Sequence, residues 1–202
     1  MFLMGAGMVA TFYFLTLYMQ VVKGYAPMRT GLAYLPFAVG ALIGASTLGP
    51  HLLAHTSQRT VIMVGMALAA AGMAWFSRLT PDQNALVVLL PAQLVAAIGL
   101  GLGSVAATAA AVRGVAPKDT GAAAGVVNTT LQVGGALGLA ILATIATRTA
   151  SNQPPGTALP DALTDGYTTG ILAGGVLYVA ALAVAALTLS PGGGQHAVAA
   201  GQ

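Results

Sequence analysis

Apolar residues in this chain gather into six long runs, at about Phe2–Val22, Gly31–Leu53, Thr60–Ser77, Ala85–Val112, Thr120–Thr147 and Thr168–Leu189. Each run matches or approaches the roughly 20 residues that an α-helix needs to cross a bilayer. A transmembrane barrel would show segments of about ten residues alternating apolar with polar, and these runs are continuous. The pattern predicts an all-α, polytopic membrane protein, with a six-span bundle over residues 1–190. The breaks are short except between Arg148 and Tyr167, where "SNQPPGTALPDALTDG" reads as an exposed loop. Residues 191–202 lack apolar periodicity and read as a disordered tail. The first span begins almost at Met1 without the basic segment of a signal peptide, so it reads as a true span. Its abrupt start suggests a piece of something longer or an unusually short product.

Composition agrees: 57% of the 202 residues are hydrophobic and 5% charged, against roughly a quarter charged in soluble domains. The net charge of +3 is scattered over the loops with no basic run, which argues against nucleic acid as a partner. Cysteine is absent, so disulfides and thiolate metal sites are excluded. Glutamate is absent too, and the acids are Asp82, Asp119, Asp161 and Asp165. No charged residue or histidine lies deep in a span, where such groups are costly and usually functional. That leaves no obvious proton relay and no intramembrane metal ligands, and no cofactor is expected. Ser46 and Ser104 lack a histidine base in a partner helix, because His51 and His55 sit at a span end and His196 in the tail. Nothing predicts an enzyme.

Two turns share a motif. "KGYAPMRTG", Lys23 to Gly31, joins spans one and two; "RGVAPKDTG", Arg113 to Gly121, joins spans four and five. Gly, Ala, Pro, Thr and Gly stay in register, and Lys23 faces Arg113. Turn chemistry alone draws on a small residue menu and offers one account. The other is duplication of a three-span unit. Three spans separate the copies, so they fall on opposite membrane faces and the repeat is a 3+3 inverted one, a mark of secondary transporters. With both termini cytoplasmic, Arg59, Arg113 and Lys118 face inside and Lys23, Arg29, Arg78 and Arg148 outside. Charge therefore does not orient the chain.

Within the spans, Gly40/Gly44, Gly121/Gly125, Gly134/Gly138 and Gly170/Gly174 are four apart, so each pair shares a helix face where backbones can approach closely. Pro36 and Pro91 fall inside spans two and four, where a missing donor tends to kink a helix. Asp119 precedes span five, where a helix N-terminus favours negative charge. Tyr18 and Trp75 lie near span ends and read as interfacial anchors.

The stretches "YMQVVKGYAPMRTGLAYLP" from Tyr18 and "GLGLGSVAATAAAVRGVAPKDTGAAAGVVNTTLQVGGALGLAI" from Gly99 resemble the major facilitator superfamily, and within it the fourteen-span drug:proton antiporters of the EmrB/QacA type. The resemblance runs from Gly5 to Leu189 and corresponds to the last six spans, the C-terminal half. The stretch "GPHLLAHTSQR", Gly49 to Arg59, occupies the superfamily's loop-motif position but lacks its acid. The resemblance implies that spans one and four line a cavity, two and five flank the interface between halves, and three and six face lipid. It places the proton-binding acid in the other half.

Neutral polar and aromatic residues remain as candidates for a substrate cavity: Tyr13, Gln20, Tyr34, Phe37, Gln93, Asn128 and Gln132. Aromatic faces attract cations and amides offer adaptable hydrogen bonds; hydrogen bonds between helices are the competing use of the same groups. The expected function is one half of a proton-coupled multidrug or small-molecule exporter working by alternating access in the plasma membrane of a bacterium. Its partners would be a lipophilic, in some cases cationic, small molecule, protons, the bilayer, and a missing N-terminal half or a second copy. The alternative is a stand-alone six-span membrane protein with an interaction or scaffold role.

Overall fold

A computed structural model describes residues 1–81 and 84–189. Six of its helices are long and apolar enough to cross a membrane: α1 (Phe2–Val22), α2 (Pro27–His55), α3 (Gln58–Phe76), α4 (Leu86–Val112), α5 (Pro117–Ser151) and α6 (Leu159–Thr188). No strand occurs among the described residues. Asp82, His196 and the stretch 191–202 read as a tail lie outside the described residues.

Several helices outlast their apolar runs. The segment expected as a loop from Arg148 to Tyr167 is mostly helical, since α5 continues to Ser151 and α6 starts at Leu159. Backbone hydrogen bonding does not stop where hydrocarbon stops. Arg148 in the last turn of α5 and Asp161 in the first turn of α6 both suit the helix dipoles, and Pro160 sits in the first turn, where its missing N–H costs nothing. Ser57 caps α3 by accepting from the Thr60 amide at 3.2 Å.

The helices pair by a twofold rule. α2 packs on α4 as α5 packs on α1, and α3 packs on α4 as α6 packs on α1; α3 and α6 meet each other. Exchanging α1–α2–α3 with α4–α5–α6 maps this pattern onto itself, apart from an extra contact of α5 with α6. The glycines show the same exchange in detail. A Cβ on Gly40 would meet Leu94 and one on Gly44 would meet Ile98, while Gly134 lies on Phe2 and Gly138 on Ala6. A four-residue step along α2 or α5 thus matches a four-residue step along its partner. Gly170 adjoins the Phe14 ring, whereas Gly121 and Gly125 have nothing within 4 Å.

The two related turns fold alike. Gly24 and Gly114 take φ of 63° and 77°, a left-handed conformation that only glycine adopts cheaply. Ala26 and Ala116 are extended, and Pro27 and Pro117 open the next helix. The Thr30 hydroxyl donates to the Ala26 carbonyl at 3.3 Å and Thr120 to Ala116 at 3.4 Å. Turn chemistry accounts for these conformations, but it gives flanking helices no reason to exchange partners in the same way. Duplication accounts for both. The leading basic residues hold opposite ends of α3: the Lys23 ammonium donates to the Pro81 carbonyl beyond its C-terminus, and Arg113 donates to Gln58 at 3.4 Å.

Irregularities concentrate in the first repeat. α2 breaks at Tyr34, two residues before Pro36, whereas α4 runs through Pro91 without interruption. α1 ends in a π-helical turn, Tyr18–Val22, and α2 holds another, Ile43–Leu48. The second lies where Gly44 crosses α4, close to Gly101. Tyr18 is not an interfacial anchor: it is fully buried, and its hydroxyl donates to the Thr80 carbonyl at 2.8 Å.

Candidate functional site

α1 and α4 form the heart of the bundle, with just over half of each buried inside the chain, against 17% of α2 and 28% of α5. No extensive contact joins α2 to α5 among the described residues, and these two are the least buried of the six helices. Bulky apolar residues on α2 (Met28, Leu32, Leu35, Val39 and Leu42) are all more than half exposed.

The candidate residues separate into four places. At the junction of α1 and α2, the Tyr34 hydroxyl donates to the Phe12 carbonyl at 2.9 Å and lies 2.8 Å from the Thr16 hydroxyl. Thr16 donates to the same carbonyl at 2.7 Å. The Phe12 ring lies 5.2 Å from Tyr34 and 4.6 Å from Phe37, the latter edge-on. Phe12 and Thr16 were not among the expected cavity residues. No sequence signal ties Phe12 to Phe37, since only the crossing of α1 over α2 brings them together. Gln20 is exposed within the π turn of α1, on the side that carries Phe12 and Thr16.

The second place is α5. Gly121, Gly125, Asn128 and Gln132 fall along one stripe of that helix and all are exposed. Neither amide has a hydrogen-bond partner among the described residues. The third is α4, where Gln93 is fully buried and neither amide atom has a partner among the described residues. Among the described residues Gln93 opens onto no surface, so a solute reaches it only if helices move. Tyr13 occupies the fourth place, against α5 and α6 rather than beside Tyr34.

Among the described residues, aspartates, lysines, arginines and histidines stay towards the ends of the helices. His51 and His55 sit together at the end of α2, ring centroids 4.7 Å apart, with His55 Nδ1 2.9 Å from the His51 carbonyl. Asp119 lies at the start of α5 and makes no side-chain capping bond. Ser46 and Ser104 each donate to a carbonyl of their own helix, Leu42 and Gly101. Among the described residues, no group of three or more potential metal ligands occurs.

A bundle of six apolar helices related by an internal exchange of three-helix units is the architecture of a secondary membrane transporter. Comparison with known proteins agrees. The Major Facilitator Superfamily pattern matches residues 1–139. Over 87% of its length the chain is 42% identical to a puromycin resistance protein of Streptomyces alboniger, covering 37% of that protein. It is 40% identical over 76% of its length to a cephamycin export protein of Amycolatopsis lactamdurans, covering 32%. A tetracenomycin C resistance and export protein of Streptomyces glaucescens is 32% identical over 70% of the chain, which covers 26% of it. The chain belongs to the Major Facilitator Superfamily, a family of multi-pass membrane transporters and not of enzymes. It spans between about a quarter and just over a third of these relatives' length.

Proposed function

We propose that this chain is the C-terminal six-span half of a fourteen-span, proton-coupled exporter of the EmrB/QacA type. It carries lipophilic small molecules, cationic ones among them, out across a bacterial plasma membrane. The observation that supports the reading best is the sustained identity to proteins named for antibiotic resistance and export, held over 87% and 76% of the chain. The exposure of α2 and α5 is consistent with it: these helices, the least buried here, would meet the remainder of the transporter or a second copy. The substrate would then lie between two bundles near the midplane.

In this reading Tyr34 and Phe37, held by Phe12 and Thr16, present an aromatic wall to the substrate, with Gln20 beside them. Asn128 and Gln132 offer free amides from α5, and Gly121 and Gly125 on the same stripe admit a close neighbour. Gln93 takes part only when α4 changes its surroundings. Among the described residues the inner part of the spans holds no aspartate, glutamate, lysine, arginine or histidine, so in this reading the coupling acid belongs to the rest of the protein. The test is export of ethidium from a pump-deficient bacterium expressing the complete transporter, beside Asn128→Ala and Gln132→Ala. Efflux above the empty-vector control supports the reading. Efflux no faster than the control with this or any other lipophilic cation or antibiotic tried refutes it, and unchanged efflux in both variants removes the two amides from the site.

A further inference from the structure

The last turn of α2 reads "HLLAH", with His51 and His55 four residues apart and so on one face of the helix. Leu52 and Leu53 between them pack against the core, which fixes the turn, while both histidines are exposed. Thr56, Ser57, Gln58 and Arg59 follow at once, so the pair stands where the chain turns polar. Its rings lie 4.7 Å apart between centroids, with 38° between their planes. Two histidines at this spacing on a helix suit a metal ion, because the backbone brings both donors to one side beforehand.

The separation matches a shared ion. With metal–nitrogen bonds of about 2.0–2.1 Å, each ring centre lies about 3.2 Å from the ion. Two rings are then about 4.5 Å apart at a right angle and about 5.2 Å apart at a tetrahedral angle. The observed 4.7 Å is nearer the right angle, which a square-planar or tetragonal Cu2+ or Ni2+ site offers. The hydrogen bonding agrees. His55 Nδ1 lies 2.9 Å from the His51 carbonyl; a carbonyl only accepts, so Nδ1 carries the hydrogen and the neutral ring keeps its lone pair on Nε2. Metal-bound histidines almost always donate their other N–H in this way, which fixes the tautomer. A helix C-terminus also carries partial negative charge, which favours a cation. No acid stands in this turn, and Gln58 beyond it accepts from Arg113 at 3.4 Å. The donors are therefore nitrogens, which disfavours Mg2+ and Ca2+.

We propose that His51 and His55 chelate one divalent transition-metal ion at the end of α2, Cu2+ more tightly than Ni2+, with water in the remaining positions. Bound there, the ion staples the last turn of α2 just before Ser57 caps α3. The site is separate from the export pathway proposed above and does not rest on it. The full chain, purified on a histidine-free tag, is titrated with Cu2+ buffered by glycine and followed by calorimetry and pulsed EPR. One Cu2+ per chain is expected, with echo modulation from the remote nitrogens of two bound imidazoles. His51→Asn and His55→Asn should each leave one imidazole and weaken binding about a hundredfold, the gain that joining two donors on one scaffold supplies. His196→Asn, at the other histidine of the sequence, should match the parent. Ni2+ should bind the same pair less tightly. Circular dichroism checks that the variants fold, which both exposed positions allow. A single imidazole in the parent spectrum, affinity unchanged by His51→Asn or His55→Asn, Ni2+ tighter than Cu2+, or loss of the site in His196→Asn would each overturn the proposal. Because neither measurement reads transport, failure here is distinct from failure of the exporter reading.

Discussion

If α2–α4 and α5–α1 are equivalent interfaces, a matched pair of substitutions should damage both to a similar degree. Gly44→Ala puts a Cβ onto the Ile98 carbonyl, and Gly138→Ala puts one onto the Cβ and Cα of Ala6. The obstructing atoms are backbone or Cβ atoms, so no side chain can swing aside and the helices must part. A gap of up to about 1 Å forfeits a quarter to a half of each atom-pair contact, and each contact is worth about 0.1–0.2 kcal/mol. Over about 30 facing atom pairs the loss is about 1.5 kcal/mol, inside the range of about 1–3 kcal/mol for overpacked sites. Gly125→Ala is the control, because its Cβ meets nothing within 4 Å; better helix propensity should leave it neutral or more stable by up to about 1 kcal/mol. Unfolding in mixed micelles on SDS titration, followed by circular dichroism and by the single tryptophan, Trp75, gives the comparison. If Gly44→Ala and Gly138→Ala unfold where Gly125→Ala does, or only one of them is destabilised, the twofold equivalence is wrong.

Other consequences can be checked in the same assay. Tyr34→Phe and Thr16→Val should each cost about 0.6 kcal/mol, an average for hydrogen bonds between membrane helices, and the double variant should cost less than their sum because the two hydroxyls share the Phe12 carbonyl; full additivity would show that they act separately. Gly24→Ala and Gly114→Ala, both at positive φ, should each lose about 1–2 kcal/mol to left-handed strain, and equal melting to the parent would count against the turn geometry. Gln93→Met removes a buried amide with neither atom paired and should stabilise the bundle by about 1 kcal/mol or more. A destabilised Gln93→Met would mean that the amide already has a partner, such as an internal water.

Much of the architecture is legible along the chain because a bilayer imposes a strict length and polarity on any segment that crosses it. The runs at 2–22 and 85–112 foreshadow α1 and α4 closely. The related turns are legible too, since glycine at a positive φ, proline at a first helical turn and threonine folding back to a carbonyl are local requirements. The helix ends of α5 and α6 are not, because hydropathy marks the edge of the apolar zone and not of the hydrogen-bonded helix. Glycine spacing shows a face without naming its neighbour: Gly40/Gly44 and Gly134/Gly138 lie on backbones, whereas Gly121/Gly125, spaced identically, face open space. Gly65, which meets Gly99 and Gly103 across α3 and α4, carried no signal that set it apart.

The candidate site divides in the same way. Polar and aromatic residues on α1, α2, α4 and α5 stand out as candidates by their rarity in apolar runs, because an unneeded polar group in a membrane helix is costly. Which of them keep company could not. Tyr13 and Phe12 are adjacent in the chain, yet a helix turns by about 100° per residue, and the neighbours of α1 differ on those two sides. Phe12 meets Tyr34 and Phe37 of α2, while Tyr13 faces α5 and Tyr167 of α6. Local periodicity determines how many spans there are, and the shared turns raise a repeat that only the exchange of packing partners favours over common turn chemistry. The partners of each helix face depend on contacts between residues distant in the chain, such as Gly44 with Ile98 and Gly138 with Ala6, and those exist only once the six helices have packed.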